Sequence, residues 1–295
     1  MRKIMKKLWL ITTDHLEDEL WFRDEEDFKV AMNYVAIQAA RNRKVVVLVF
    51  ILMSNHVHFV VLCEEKRDAE EFLLGFRHRY SIYMNRKWGK KEFLRGNGYE
   101  IKEIPFGDES PERVIAYVQM NCVAAKICGH PSQYPWGTGS CLFNKMPTAG
   151  TRLGDLSARA RMRLLHTFED DLPKNWRISD SGYILPQEYV DVETVEKLFR
   201  NPSRLNYFYN TSSKAKKRIE MSEGKMPAFC DQVILNALPD LCRSMFGKDS
   251  FSALSPEDKT EFMRQIRFRF SADVNQIARV CGVSYADAAK MLDKC

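Results

Sequence analysis

Between Val45 and Leu62 the chain leaves itself few ways to fold. Val45–Leu52 is almost wholly apolar, and a short run of that kind reads as a buried strand. Ser54-Asn55 is turn chemistry. His56 then opens a second strand, and residues two apart on a strand share a face. His56 and His58 therefore point one way and Val57 the other. Two imidazoles side by side on a rigid strand make a chelate for a divalent metal. A half-buried strand histidine is most often a packing residue. Two of the chain's six histidines in one His-apolar-His triplet are less easily dismissed.

The elements expected around this hairpin fall in a simple order. Lys7–Thr13 reads as a strand, and Trp21-Phe22 follow an acidic loop to cover a core edge. Asp24 can cap a helix over Glu25–Arg41, whose Phe28, Val30, Ala31, Tyr34, Val35 and Ile37 form an apolar stripe. The strands Lys44–Met53 and His56–Cys63 come next. A second helix is expected from about Asp68 to Trp88, with Phe72, Leu73, Phe76, Tyr80, Tyr83 and Met84 turned inward and Gly89 as its stop. Gly96-Asn97-Gly98 is a turn, Tyr99–Phe106 a fourth strand, and Pro111–Ile127 a third helix with Ser110 as its N-cap. The order β-α-β-β-α-β is the split βαβ, or ferredoxin-like, arrangement. It predicts an α+β fold with the first two helices on one face of an antiparallel sheet. The third helix would then cross the other face, above the histidine pair.

A third histidine two residues on, where a histidine-triad hydrolase has its nucleophile, is Val60 here. A nucleophile must therefore come from elsewhere, and the third helix carries a candidate. Tyr117 and Asn121 are four apart and share a helix face. An activated tyrosine hydroxyl can attack phosphorus, and an Asn oxygen can serve a hard metal. Taken alone, a tyrosine packed in a helix is the commoner reading. Tyr80 and Tyr83 are rivals, but their helix belongs on the far face of the sheet.

These segments together resemble the single-tyrosine transposases of the HUH superfamily, including the REP-associated tyrosine transposases. Leu52-Met53-Ser54-Asn55-His56-Val57-His58 is similar to that family's Leu-Met-Pro-Asn-His-x-His signature. Leu20–Asp27 resembles its segment before the first helix, and Arg79–Gly89 its RYxxYxNRxxG pattern. Tyr117–Ala125 resembles its YxxxNPVxA helix, and His130-Pro131 with Tyr134-Pro135-Trp136 its closing segment. Each motif is weak alone; their order and spacing are specific, over roughly the first half of the chain. The resemblance implies an HUH endonuclease core acting as a metal-dependent nuclease and strand-transferase on single-stranded DNA. His56, His58 and Asn121 would hold Mg²⁺ or Mn²⁺, although imidazoles favour Mn²⁺ or softer ions over Mg²⁺. Tyr117 would join a 5′ phosphate and release a 3′ hydroxyl, the phosphotyrosine keeping the bond energy for rejoining. Hairpin DNA would be the partner, and the family often forms homodimers. Ser54 and Cys122 replace two family prolines without removing a catalytic group, and Cys122 should let its helix run on unkinked.

Arg77, Arg79, Arg86, Lys87, Lys90, Lys91 and Arg95 could hold DNA phosphates, with Trp88 or Tyr99 stacking on a base. A solvated basic face is the plain alternative. Two other classes compete for the whole chain: a domesticated hairpin-binding regulator without turnover, and a nucleotide phosphoesterase that does without Tyr117.

The organisation expected is a transposase domain over residues 1–143, a connector over 144–190 and a helical domain over 191–295. A helix near Ser157–Phe168 interrupts the connector, and Lys214-Ala215-Lys216-Lys217-Arg218 is the strongest basic cluster beyond it. Gln276–Ser284 followed by Tyr285–Asp293 resembles a helix-turn-helix, with Ser284 and Asp287 as a capping box. Asp287 and Asp293 against Lys290 make its second helix a poor fit to a major groove, and Arg264, Arg267 and Arg269 offer phosphate contacts instead.

Bulk properties agree with a soluble globular protein: 45% hydrophobic, 28% charged, net charge +6 over 295 residues. The eight cysteines form no CxxC pair, which suits a reducing cytoplasm. Cys122, Cys128, His130 and Cys141 match no standard zinc spacing. Val45–Met53 is too short to span a membrane, and the apolar stretch after the basic start, Leu8–Thr13, is too short for a signal peptide.

Overall fold

The structure is a computed structural model that describes residues 6–16, 19–146, 149–167, 171–222, 229–270 and 272–292, with backbone alone at 213–222 and 268. The molecule is α+β. Its first half is built on a four-stranded sheet of β1 (Lys7–Thr13), β2 (Val46–Met53), β3 (His56–Cys63) and β4 (Tyr99–Ile104). The strand order is β2-β3-β1-β4 and every pair is antiparallel. α1 (Glu25–Arg41) carries the chain from β1 to β2, and α2 (Lys66–Trp88) from β3 to β4. This is the split order expected from the hydrophobic pattern.

Local chemistry sets the helix ends. The Asp24 carboxylate accepts from Asp27 N at 2.9 Å, and three acidic residues in the first turn of α1 complement the helix dipole. A Glu65/Asp68 capping box starts α2 two residues earlier than expected. Gly89 ends it in the left-handed region, φ 67°, where glycine carries no Cβ penalty.

The two faces of β3 differ completely. Phe59 meets Phe72 and Phe76 of α2 with ring centroids 5.4 and 5.6 Å apart. Trp21, Phe22 and Tyr80 complete that aromatic layer, all fully buried. Each such ring contributes about 1.5–3 kcal/mol by leaving water. The opposite face carries His56 and His58, and α3 (Ser110–Gln119) lies across it against β2 and β3.

The third helix does not run unbroken to Ile127. It pauses at Met120 and resumes as the short α4 (Asn121–Ala124). The cause is local: Asn121 Nδ2 donates to Tyr117 O at 2.9 Å and Val118 O at 3.2 Å, and Cys122 Sγ to Gln119 O at 3.3 Å. Side chains thus take carbonyls that backbone N–H groups would use.

The outer edge of β2 is covered rather than open. Leu52 N donates to Trp136 O, Thr138 N to Phe50 O, and Asp191 N to Val47 O, all at 2.9–3.1 Å. Gly137 permits the approach, since a Cβ there would stand 2.9 Å from Phe50 O. The following chain holds a two-stranded ribbon of β5 (Thr151–Arg152) and β6 (Arg177–Ile178), with α5 (Ala158–Leu165) between them. α6 (Val192–Phe199) and α7 (Pro202–Ser222) come next. Leu153, Leu165, Ile178, Ile184, Phe199 and Phe208 join the same core as the sheet. The fully buried Asn33 of α1 pins the connector: Nδ2 donates to Leu164 O and Gly182 O, each at 3.2 Å, and Oδ1 accepts from Ile184 N at 2.8 Å. The side chains of Lys214–Arg218 lie outside the described residues, as do Phe168 and Asp293.

A second core gathers Ile234, Phe262, Met263, Ile266, Ile277 and Leu292. It belongs to α8 (Asp231–Phe246), α9 (Pro256–Phe270), α10 (Val274–Cys281) and α11 (Tyr285–Leu292). Gly282 makes the left-handed turn between α10 and α11, and Ser284 Oγ accepts from Asp287 N at 3.1 Å, the cap expected there. Tyr134 joins the two cores: its hydroxyl lies 2.7 Å from Leu52 O and 2.8 Å from Gln232 Oε1. Among the described residues no helix is long and apolar enough to cross a membrane.

Candidate active site

The tight Ser54-Asn55 turn puts His56 opposite Met53, at the mouth of the hairpin, and His58 opposite Thr12 in the sheet interior. Both histidines are buried. Their rings stand perpendicular, 87°, with centroids 4.8 Å apart. His58 Nδ1 lies 3.0 Å from Thr12 Oγ1, and His56 Nδ1 lies 2.9 Å from Asn55 Oδ1. In each ring Nδ1 is thus engaged by an oxygen, so Nε2 is the nitrogen a metal would take. Metal-binding histidines are commonly oriented in this way.

Ridge packing of α3 across that face brings the Tyr117 ring to His58, with centroids 5.7 Å apart at 74°. Asn121 follows at the helix break. Its Nδ2 is turned into the helix, which leaves the amide oxygen as the group it offers outward. His56, Tyr117 and Asn121 line one cavity of about 490 Å³. Tyr117 is 44% exposed, and the burial of its other half raises its hydroxyl above the usual tyrosine range. The donor set is two imidazoles and one amide oxygen. It fits a divalent ion in type, with Mn²⁺ suited better than Mg²⁺. Among the described residues no group of three or more His, Cys, Asp or Glu gathers for a metal.

The rival tyrosines sit elsewhere. Tyr80 is fully buried on α2 and donates to Trp21 O at 2.5 Å. Tyr83 donates to Asp27 Oδ1 at 2.9 Å. Burial raises both hydroxyls, and the Asp27 charge adds to the effect.

The basic residues are scattered in role. Arg77 is buried and turned inward, donating to Leu94 O at 2.5 Å and Asn97 O at 2.7 Å. Lys87 pairs with Asp24 and Asp27 at 2.7 and 2.8 Å, Lys90 with Glu19, and Arg95 with Glu92. Arg79 is half-buried, while Arg86 and Lys91 are exposed.

Three features of the site escape the sequence reading. Thr12 orients His58 from a neighbouring strand. His15 stacks on His56, with centroids 3.9 Å apart and planes within 13°. Cys230 and Asp231, at the start of α8, form a wall of the same cavity. Asp231 is held there: Arg279 Nε and Nη2 donate to its carboxylate at 2.9 and 3.2 Å, and Gln276 Nε2 at 2.8 Å. Spacing alone gives no hint of a partner more than a hundred residues away.

No protein-family model matches this chain, and no curated protein sequence does. Among solved structures it is similar to a REP-associated tyrosine transposase bound to a REP hairpin, at 14% identity and a TM-score of 0.34, over 61% of this chain and 98% of that one. A likeness at that score carries no weight for function.

Proposed function

We propose that the protein is a transposase-like enzyme that nicks and rejoins single-stranded DNA through a 5′-phosphotyrosine. One observation carries the reading: α3 sets a half-exposed tyrosine against the His56–His58 pair of β3, beside a cavity that His56 and Tyr117 both line. In this reading the sheet and its helices are a ferredoxin-like HUH core. Residues 1–143 form the nicking domain, the connector with α6 and α7 packs onto the same core, and α8–α11 form the separate helical unit.

Tyr117 Oη attacks the phosphorus of a phosphodiester seated in the cavity. The P–O3′ bond breaks, and as the phenol proton passes to solvent the departing 3′ oxygen takes one from solvent, leaving a 3′ hydroxyl. His56, His58 and Asn121 would hold a divalent metal, which when bound would polarise a non-bridging phosphate oxygen and offset the developing charge. Thr12 and Asn55 keep the two imidazoles in orientation. Exposed Arg86 and Lys91, with Arg79, supply phosphate contacts to hairpin or single-stranded DNA. Rejoining is the same step reversed, a 3′ hydroxyl attacking the phosphotyrosine. Pairing of two copies would let one tyrosine serve the other's histidines.

One observation favours the regulator without turnover: burial raises Tyr117, and no hydrogen bond to a base is seen on its hydroxyl among the described residues. One experiment separates the two. Purified protein is mixed with hairpin-containing single-stranded DNA and Mn²⁺ or Mg²⁺, then run on a denaturing gel. A protein–DNA adduct is expected in wild type and absent from Tyr117→Phe and His56→Ala. An adduct that survives Tyr117→Phe sinks the assigned nucleophile. Tight binding with no adduct under either metal leaves the regulator.

A further inference from the structure

Three cavities run end to end across the junction of the two cores. The reaction cavity shares His15 with a second cavity of about 460 Å³ along the loop 90–98. That cavity shares Glu19 and Lys90 with a third, of about 590 Å³, whose far wall is the α10–α11 turn. Volumes of this size suit single nucleotides rather than a double helix.

The floor of this path is rigid. Arg77 holds the carbonyls of Leu94 and Asn97, and Asn97 Nδ2 donates to Asp14 O at 3.0 Å. The far wall is fixed too, because the buried Asp231 binds both Gln276 and Arg279 of α10. Along the path the chemistry is that of a single-strand groove, with aromatic faces for bases and cations for phosphates. His15 is exposed at its first junction and Tyr285, 57% exposed, at its far end. Lys91 stands in solvent between them, and Lys90, in a half-buried pair with Glu19, lines both the loop cavity and the third. Asp14 and Glu92 also line the loop cavity, so charge attraction is modest and stacking carries more of the binding.

We propose that the DNA strand bound at Tyr117 continues past His15 and through this cleft, so that the C-terminal helices form the second wall of the path. The inference rests on the single-strand reading of the reaction cavity. It also gives the α10–α11 pair a role other than entering a major groove. The start of α11, the end that a recognition helix presents to bases, faces the first half of the molecule.

The test uses the full chain, with EDTA present so that no cleavage occurs. Oligothymidylates carrying one 5-iodouracil at successive positions are irradiated, and crosslinked peptides are mapped by mass spectrometry. Crosslinks are expected at His15 and Tyr285, shifting from one to the other as the label moves along the strand. Tyr285→Ala should weaken single-strand binding about tenfold. Tyr285→Phe should bind as wild type does, and duplex binding should be the same in all three. Crosslinks confined to other surfaces, or wild-type affinity in Tyr285→Ala, overturn the proposal. An adduct at Tyr117 without cleft crosslinks sinks this inference alone. Cleft crosslinks without an adduct uphold it and sink the nicking reaction instead.

Discussion

Both faces of the sheet carry tyrosines, and the contrast between them shows what makes one a candidate nucleophile. On the α2 face, Tyr80 and Tyr83 each donate to a buried acceptor, one a carbonyl and the other a carboxylate. Their hydroxyls are structural, and freeing either would strand its partner. On the α3 face, Tyr117 is buried on one side, open on the other, and beside an imidazole. All three hydroxyls are raised, so acidity does not separate them. Access and neighbours do.

That contrast can be pressed in three ways. The largest effect expected is on pH. The Tyr117 hydroxyl lies above its ordinary 10.0, so below that pH it is protonated and the reactive phenolate is a small fraction. Adduct formation should climb about tenfold per pH unit between pH 7 and pH 9, roughly 100-fold in all. Initial rates at fixed Mg²⁺ measure this, and a flat profile would mean that a group unseen here removes the proton. Next comes the orientation of His58. Thr12→Val keeps the shape but removes Oγ1, and Mn²⁺ binding followed by electron paramagnetic resonance should weaken about 10–100-fold. Unchanged affinity would show that Thr12 does not position the ring. The smallest effect on chemistry belongs to Tyr80→Phe. It leaves Trp21 O without its partner and should cost about 1–3 kcal/mol in denaturant unfolding. Adduct yield per folded molecule should not change; a loss would place Tyr80 in the reaction.

Features built from neighbours in sequence were legible from sequence. The Asp24 cap and the apolar stripe locate α1 to the residue, and strand alternation sets His56 beside His58. The helix order placed Tyr117 over the histidines because a split βαβ sheet leaves one face for a third helix. What local pattern could not carry is long-range. Thr12 reaches His58 across 46 positions, and Asp231 meets Gln276 and Arg279 only because two helices of the second core cross. Arg77 looked like its exposed neighbours, yet it holds carbonyls 17 and 20 residues on. The break at Met120 was hidden for another reason. An Asn in a helix reads as tolerated unless its amide is known to turn back on its own carbonyls.

The Asn33 pin has a consequence for how the chain assembles. Its amide is satisfied by groups 131 to 151 residues further along. A buried amide without partners is costly, so α1 has to keep that face wet while the sheet forms. Only when residues 164–184 dock can the helix close over it. Contacts of such sequence separation form slowly, because the entropy of closing the intervening loop must be overcome first. Docking of residues 164–184 is therefore expected to come late in folding, so that refolding followed at Asn33 should lag behind formation of the sheet.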